Sequence, residues 1–387
     1  MIDTITQALP TVGYIILVIA YIGVFITIIL DNRDPNKTFA YILLLIFLPV
    51  AGLVVFYFFG RDYRKRKIFS FNGQEDRKKL EDYWEKNEQE TKRVLNRLEE
   101  QVGGLVEPAH MLLYRHQSLF KHGNQVQLLL NGEDKFPEVF KALEAARHHI
   151  HLEYYVLSDD DVGHRIADIL VEKAQQGVEV RLITDGVGSS KLGDIPKRLR
   201  QAGGQHYPFM PVRFNHLAST NYRNHRKILV IDGEVGFVGG LNMDDRYWNT
   251  GKHDLYWRDT HLKIIGPAVN SLQIHFLLGW QFVSNHSFPL SSPYFNLDGA
   301  ASSDGPFVGI VASGPDSDRP HNMDVLISAI GRARRRIRIT NPYFIPSEPL
   351  STALQIAAAS GIEVECLFPG ISDSMIVKHA SFSYLKP

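Results

Sequence analysis

The sequence predicts an α/β protein in which duplicated βαβ sheet domains follow an N-terminal two-helix transmembrane hairpin. Three observations support this prediction: two long uncharged apolar runs, an alternation of aliphatic runs with helical patterns from about residue 125, and a recurrence of that alternation further along. With 44% hydrophobic and 22% charged residues, the chain is neither disordered nor collagen-like. Its 387 residues are enough for two or more domains.

The two apolar runs, residues 11–30 and 39–59, predict membrane-spanning helices. Neither contains a charged residue, and each reaches the length of about 20 residues that is needed to cross a hydrocarbon core of about 30 Å. A cleaved signal peptide is the alternative for the first run. However, no positive charge precedes that run and no small-residue cleavage site follows it. We therefore predict a membrane hairpin over residues 1–60.

Positive charge predicts the orientation of the hairpin. The loop between the two runs balances its cations with acidic residues, whereas residues 61–67 hold five Arg or Lys side chains. Because cytoplasmic flanks carry the excess of Lys and Arg, we expect a multi-pass plasma-membrane protein with its catalytic domain in the cytoplasm. The cluster at 61–67 is also expected to attract anionic membrane lipids, by about 1 kcal/mol per cation near the surface.

Residues 61–110 form a basic and charged connecting segment, in which the stretch 75–101 predicts an exposed helix. From about residue 125 onward, short strands alternate with helices. This order predicts βαβ units around a mainly parallel sheet.

The strand–helix order recurs at a nearly constant offset. Residues 141–157 align with 328–344, and residues 172–186 align with 355–370. A chance match of two generic βαβ units is the alternative, but agreement in the order of elements favours a duplication. The expected domains are 111–300 and 301–387.

The stretch NHRKILVIDG, residues 224–233, contains the strongest candidate for catalysis. In a strand, His225 and Lys227 project to the same face. Asp232 and Gly233 have the composition of a tight turn that returns the chain antiparallel. A neutral imidazole can attack phosphorus, and a nearby ammonium can stabilise the phosphoryl oxygens, so these residues suit phosphodiester chemistry without a metal. Ordinary solvated side chains at a strand end are the alternative.

Composition argues against several other classes of protein. The 42 Lys and Arg residues equal the 42 Asp and Glu residues, so neither net charge nor an aromatic-basic stripe indicates nucleic acid as a partner. The single cysteine excludes an intrachain disulfide framework and a cysteine-based zinc site. We expect no cofactor and no metal, because the histidines of RHHIH, residues 147–151, fit a helix side that runs into a strand.

The span from His225 through Lys227 to Asp232, followed by GFVGGLN with Asn242, resembles the signature of the phospholipase D superfamily. Over nearly the whole chain, the hairpin, the basic segment and the stretches IHLEYYVLSDD, WRDTHLKIIGPAV and ITNPYFIP resemble bacterial cardiolipin synthases of that superfamily. The resemblance implies phospholipase D-like sheet domains. It also implies that a histidine attacks phosphatidylglycerol, releases glycerol from a phosphohistidine intermediate, and passes the phosphatidyl group to a second phosphatidylglycerol.

The same resemblance implies roles for five residues. His225 is expected to be the nucleophile or general acid, and Lys227 and Asn242 are expected to bind phosphoryl oxygens. Asp232 belongs to the catalytic motif, although we expect it to secure the local turn. Asp259 in WRDTHL resembles the acidic residue that orients the histidine through its other ring nitrogen. A strand-end salt bridge is the alternative for Asp259.

Members of the superfamily carry two such motifs, and the second is expected here beyond Pro387. His379 does not match the motif, because Ser381 stands where lysine is required. An incomplete second domain is the expectation, with a homodimer that completes the active site as another interpretation. A membrane-tethered phosphodiesterase that uses water and a catalytically inactive membrane protein are the alternative functions.

Overall fold

The computed structural model describes residues 2–30, 35–56, 74–116, 118–211, 222–286, 294–295, 305–314, 317, 320–372 and 374–385. The chain divides into two compact units, Met1–Lys65 with Met210–Arg223, and Arg66–Phe209 with Asn224–Pro387. The basic cluster at 61–67 and the start of the predicted inter-helix loop, 31–34, lie outside the described residues.

Among its described residues, the first unit contains the helices α1 (Ile2–Leu30), α2 (Pro35–Phe47) and α3 (Pro49–Val55). The prediction of one continuous helix over 39–59 is therefore wrong. Leu48 leaves helical geometry with φ −136°, and Pro49 begins the next helix. Proline has no N–H to donate and its ring clashes with the preceding turn, which explains the interruption. Among the described residues, no helix combines the length and the apolar character required to cross a membrane.

The second unit begins with α4 (Gln74–Val102) and α5 (Glu107–His116). The helix predicted over 75–101 is confirmed, but its predicted exposure is wrong on one face. Leu95 is fully buried in a cluster with Leu112 and Leu113 of α5. The sparse apolar residues of α4 line up as a stripe at helical spacing, and this stripe packs against its neighbour.

A seven-stranded sheet forms the centre of the second unit, in the order β2-β8-β7-β6-β3-β4-β5. Its strands are β2 (Gln125–Leu130), β3 (His149–Tyr154), β4 (Glu179–Asp185), β5 (Gln205–Phe209), β6 (Lys227–Ile231), β7 (Val235–Gly239) and β8 (Thr260–Ile265). The accompanying helices are α6 (Asn131–Glu144), α7 (Asp161–Gln175), α8 (Ile195–Gln201) and α9 (Val269–Ser284).

The prediction of a mainly parallel sheet is wrong. Strands β3, β4 and β5 run parallel, whereas β6 pairs antiparallel with β3, and β7, β8 and β2 continue antiparallel. Helices connect the parallel strands, but a tight turn connects β6 to β7, and such a turn joins only antiparallel strands.

The two faces of the sheet carry different kinds of side chain. Ile150 and Leu152 of β3 belong to the main hydrophobic core, together with residues of α6 and α7. The alternate residue His151 faces α9, where its ring stacks on Phe276 with a centroid distance of 4.5 Å. Alternation along β3 thus places an apolar layer on one face and a layer containing buried histidine on the other.

The C-terminal part of the second unit repeats the arrangement of β3 and β4. Strands β10 (Arg336–Thr340) and β11 (Glu363–Leu367) pair in parallel. Arg336 lies opposite Glu363, just as His149 lies opposite Glu179 in the first pair. These are the positions that the two sequence alignments equate. The remaining elements are β1 (Phe120–Lys121), which pairs with β9 (Val308–Gly309), and α10 (His321–Ile330), α11 (Glu348–Ala359) and α12 (Met375–Ser383).

Asp232 connects the turn after β6 to the start of β3. It adopts a left-handed conformation with φ 54°. Its carboxylate accepts hydrogen bonds from the backbone N–H groups of Arg147 at 2.9 Å, His148 at 2.8 Å and His149 at 2.9 Å. One side chain therefore fixes the position of the β6–β7 hairpin relative to β3.

We expect Asp232→Ala to lower the free energy of unfolding by about 2 kcal/mol, because three backbone donors lose a charged acceptor and alanine is strained at positive φ. Asp232→Asn should lose less, since its amide oxygen still accepts and asparagine tolerates this conformation. Glu234→Ala, in the same turn, is the matched control and should change stability by less than about 0.5 kcal/mol. Denaturant unfolding followed by circular dichroism measures all three; equal losses for Asp232→Ala and Glu234→Ala would contradict the assignment.

Candidate active site

The candidate site lies where β6 begins, next to the carboxyl end of β3. Lys227 is the first residue of β6 and pairs with Tyr154, the last residue of β3. Its Nζ donates a hydrogen bond to the carbonyl of His225 at 2.8 Å. Lys227 is buried and His225 is exposed. The ammonium of Lys227 is thus bound to the backbone of His225, and the imidazole of His225 is open to a ligand.

Tyr155 contacts both of these residues. Its ring stacks on the imidazole of His225 with a centroid distance of 3.8 Å and an interplanar angle of 23°. The Nζ of Lys227 lies 5.5 Å from the centre of the same ring. Tyr155 follows β3 directly, so the end of that strand supplies an aromatic surface to the site.

The electrostatic environment favours the neutral form of His225. Partial desolvation lowers the pKa of its imidazole, and the nearby charge of Lys227 lowers it further, while Asp185 raises it. A neutral imidazole retains the lone pair that a nucleophile needs, so His225 is in the reactive form at neutral pH.

Burial also lowers the pKa of Lys227 to about 8, against the effect of the Asp259 carboxylate, which raises it. The ammonium form therefore still predominates at pH 7. A buried cation at this position can stabilise the negative charge that develops on phosphoryl oxygens.

Asp185, at the end of β4, is the carboxylate whose charge acts on His225. It accepts hydrogen bonds from the backbone N–H groups of Val187 at 2.8 Å, Gly188 at 3.0 Å and Asn224 at 3.0 Å. The bond to Asn224 holds the residue that immediately precedes His225. The sequence motif gave no reason to single out Asp185, because it lies about 40 residues away on another strand.

Asp259, the residue expected to orient His225, lies close enough to Lys227 and Lys135 to affect the pKa of both. Its charge raises the pKa of both Lys227 and Lys135. Its Oδ1 accepts from the N–H of Thr260 at 2.6 Å. A Cβ atom at Gly240 would lie 2.2 Å from this carboxylate oxygen, so a larger residue there would displace the Asp259 side chain. The Gly-Gly pair of the motif thus lets the Asp259 carboxylate approach the end of β7 closely.

Asn242 is buried, and protein groups bind both ends of its amide. Its Oδ1 accepts from the N–H of Val156 at 3.2 Å, and its Nδ2 donates to the hydroxyl of Tyr247 at 2.9 Å. Met243 then donates to the carbonyl of Val156 at 3.0 Å. These bonds join the loop after β7 to the loop after β3, immediately beyond Tyr155.

Lys135 of α6 binds the backbone of the loop after β7. The sequence analysis did not identify this residue. Its fully buried Nζ donates to the carbonyls of Leu241 at 3.0 Å and Asn242 at 2.9 Å. Burial and the charge of Lys227 hold its pKa well below the usual range, while Asp259 raises it. A signal was available, since Lys135 occupies the apolar face of α6, four residues before Val139.

The structure brings His225, Lys227, Asn242 and Asp259 to one end of the sheet. It places Asp232 at the opposite end of β6, bound to the start of β3. Asp232 is therefore separated from the reacting groups by the whole length of a strand. Within the described part of the chain, no three His, Cys, Asp or Glu side chains are arranged to hold a metal ion.

Comparisons with known proteins identify the family. The model described as cardiolipin synthase, PLD-like domain, matches residues 139–271 and 326–387, and the model of the phospholipase D-nuclease N-terminal region matches residues 19–61. A solved structure of phosphatidylserine synthase from Haemophilus influenzae Rd KW20 aligns with a TM-score of 0.48 and 13% identity, over 69% of this chain and 68% of that one.

Two curated relatives named cardiolipin synthase align along most of their length. The protein of Alkalihalophilus pseudofirmus is 40% identical over 96% of this chain and 73% of its own length. The protein of Halalkalibacterium halodurans is also 40% identical, over the same shares of the two chains. The resemblance drawn from the sequence motifs is confirmed, and the chain belongs to the cardiolipin synthase family of phospholipase D-like proteins.

Proposed function

We propose that this chain is a cardiolipin synthase: a phosphatidyltransferase that converts two molecules of phosphatidylglycerol into cardiolipin and glycerol. The observation that carries the proposal is the pairing of an exposed imidazole with a lowered pKa, His225, with the buried ammonium of Lys227 beneath it. Family membership supports the choice of lipid substrate, since the curated relatives are named for this product.

The first half of the reaction forms a covalent intermediate. A ring nitrogen of His225 attacks the phosphorus of one phosphatidylglycerol, and the bond from phosphorus to the glycerol headgroup oxygen breaks. The departing oxygen takes a proton from a general acid and leaves as glycerol. In this proposal Lys227 stabilises the charge on the phosphoryl oxygens, and Asn242 donates its second amide N–H to them.

The second half of the reaction restores the enzyme. A glycerol hydroxyl of a second phosphatidylglycerol attacks the phosphorus, loses its proton to a base, and displaces the imidazole. The product is cardiolipin, and His225 is again neutral. Attack by water instead would release phosphatidic acid, so the lipid product distinguishes transfer from hydrolysis.

The decisive experiment replaces the nucleophile. In a host that lacks cardiolipin, the wild-type chain should produce cardiolipin, and His225→Ala should reduce that synthesis by more than about 10³-fold, since the variant lacks the imidazole that forms the intermediate. His164→Ala is the matched control: it removes an imidazole that pairs with Asp159 on the surface, and it should have no effect. Purified wild-type protein should be equally active with and without a chelator, because the covalent route needs an imidazole and an ammonium. Full activity of His225→Ala, or phosphatidic acid as the sole product, would refute the proposal.

We also propose that residues 1–60 form the membrane hairpin, with both ends in the cytoplasm and the catalytic domain on that side. The two apolar runs and the five cations at 61–67 support this topology. Such an anchor would keep the site next to a substrate that resides in the bilayer.

Cysteine labelling tests the topology. In a Cys366→Ser background, which removes the single native cysteine, a cysteine in place of Asn36 should react with an impermeant thiol reagent added to intact cells. A cysteine in place of Ser70 should react only after the membrane is opened. The reverse pattern of labelling would show that the orientation is wrong.

A homodimer is the final part of the proposal. The family resemblance implies two histidines that meet at one site, and two copies of the chain could each contribute one His225. A second copy of the chain could supply the general acid. The active species in detergent should therefore have the molar mass of two chains, and full activity in a fraction that contains only single chains would exclude this arrangement.

A further inference from the structure

We propose that Tyr155 is a positioning residue for the nucleophile: its ring fixes the plane of the His225 imidazole and shields one face of it from water. The inference rests on the proposed function in that His225 is taken as the attacking group. Nothing in the motif that defines the site includes Tyr155, which lies 70 residues earlier in the chain.

The first argument is the geometry of the stack. A centroid distance of 3.8 Å and an angle of 23° place the two rings face to face, closer than the usual range of about 4.5–7 Å for aromatic pairs. His225 precedes β6, so the sheet's hydrogen-bond ladder does not hold it directly. The ring contact therefore restricts rotation of the imidazole about its side-chain bonds.

The second argument is that neighbouring residues fix the position of Tyr155. Its carbonyl accepts a hydrogen bond from the hydroxyl of Ser189 at 2.9 Å. Gly188 packs so tightly that an added Cβ would lie 2.4 Å from that carbonyl oxygen and 2.8 Å from the tyrosine ring. Asp185, in turn, binds the N–H of Gly188.

The third argument is electrostatic. The Nζ of Lys227 lies 5.5 Å from the centre of the same ring, so Tyr155 is close to both reactive groups. Desolvation is the largest cause that lowers the pKa of His225. The Tyr155 ring covers one side of an otherwise exposed imidazole, and removal of the ring would hydrate it and raise that pKa toward its ordinary value.

Kinetics with three variants provide the first test. Tyr155→Leu should lower kcat by about 10- to 100-fold with little change in KM, because a misaligned nucleophile slows the chemical step without weakening lipid binding. Tyr155→Phe keeps the ring and should stay within about 3-fold of wild type. Tyr207→Leu is the matched control: it removes another partly buried ring, one that packs on Trp280 at 5.2 Å, and it should leave kcat unchanged.

Chemical titration of His225 provides a second test that needs no turnover. Diethyl pyrocarbonate modifies neutral imidazole, and mass spectrometry of the peptide that contains His225 gives its rate against pH, with N-acetylhistidine as a reference in the same tube. In Tyr155→Ala, the apparent pKa of His225 should move upward and the limiting rate should increase. Gly188→Ala should shift both quantities in the same direction, because it displaces the tyrosine.

The outcomes separate this inference from the proposed function. If the wild-type chain makes no cardiolipin, the proposed function fails, and the titration still decides whether Tyr155 shields His225. If the wild type is active but Tyr155→Leu behaves like Tyr207→Leu, or if His225 titrates identically with and without the ring, the positioning role is refuted. Equal damage from Tyr155→Phe and Tyr155→Leu would also refute it, since the hydroxyl and not the ring would then matter.

Discussion

The register between β3 and β6 is the constraint on which the candidate site depends. With Tyr154 opposite Lys227, the lysine side chain lies on the face that contains α6. A slip of one residue would turn it to the α9 face and separate it from Asp259. Asp232 fixes this register at the far end of the pair through three backbone N–H groups. Asp232 can therefore belong to the motif although it lies far from the reacting atoms. By fixing the register, it determines the face of the sheet to which Lys227 points. The antiparallel alignment then places His225 against Tyr155, the residue that follows β3.

Two buried lysines lie in the interior of the site. Lys135 and Lys227 are both buried, each is influenced by the same carboxylate, Asp259, and the charge of Lys227 lowers the pKa of Lys135. Backbone carbonyls of residues 241 and 242 solvate the first lysine but carry no full charge. A phosphodiester bound near His225 would place an anion close to Lys227. Burial disfavours the ammonium form of Lys227, and an anionic substrate would favour it.

The sequence specified the local parts of the site well and its long-range contacts poorly. A two-residue turn after β6 predicts an antiparallel return strand, because the turn is encoded by neighbouring residues. The aligned repeats occupy equivalent positions in the β3–β4 and β10–β11 pairs. The directions of the strands could not be predicted from the sequence, because an alternation of strands and helices does not reveal that β6 pairs with β3. Lys135 binds carbonyls more than 100 residues away, and Tyr155 meets His225 only through the topology. The break at Pro49 was locally encoded, but the uniform apolar run around it obscured the signal of the proline.

The lowered pKa of His225 suits an enzyme that works at a charged interface. An anionic leaflet with a surface potential of about −30 mV concentrates protons, so the pH at its surface lies about half a unit below that of the bulk solution. Each phosphatidyl transfer joins two anionic lipids into one molecule and leaves this potential in place. A histidine with an ordinary pKa would be partly protonated there and unable to attack. Desolvation and the adjacent lysine keep the imidazole of His225 neutral, while the same interfacial acidity keeps Lys227, with its pKa of about 8, in the ammonium form. The lower pH at the membrane surface therefore favours the ammonium form that Lys227 requires, while the lowered pKa of His225 keeps its imidazole neutral in spite of that pH.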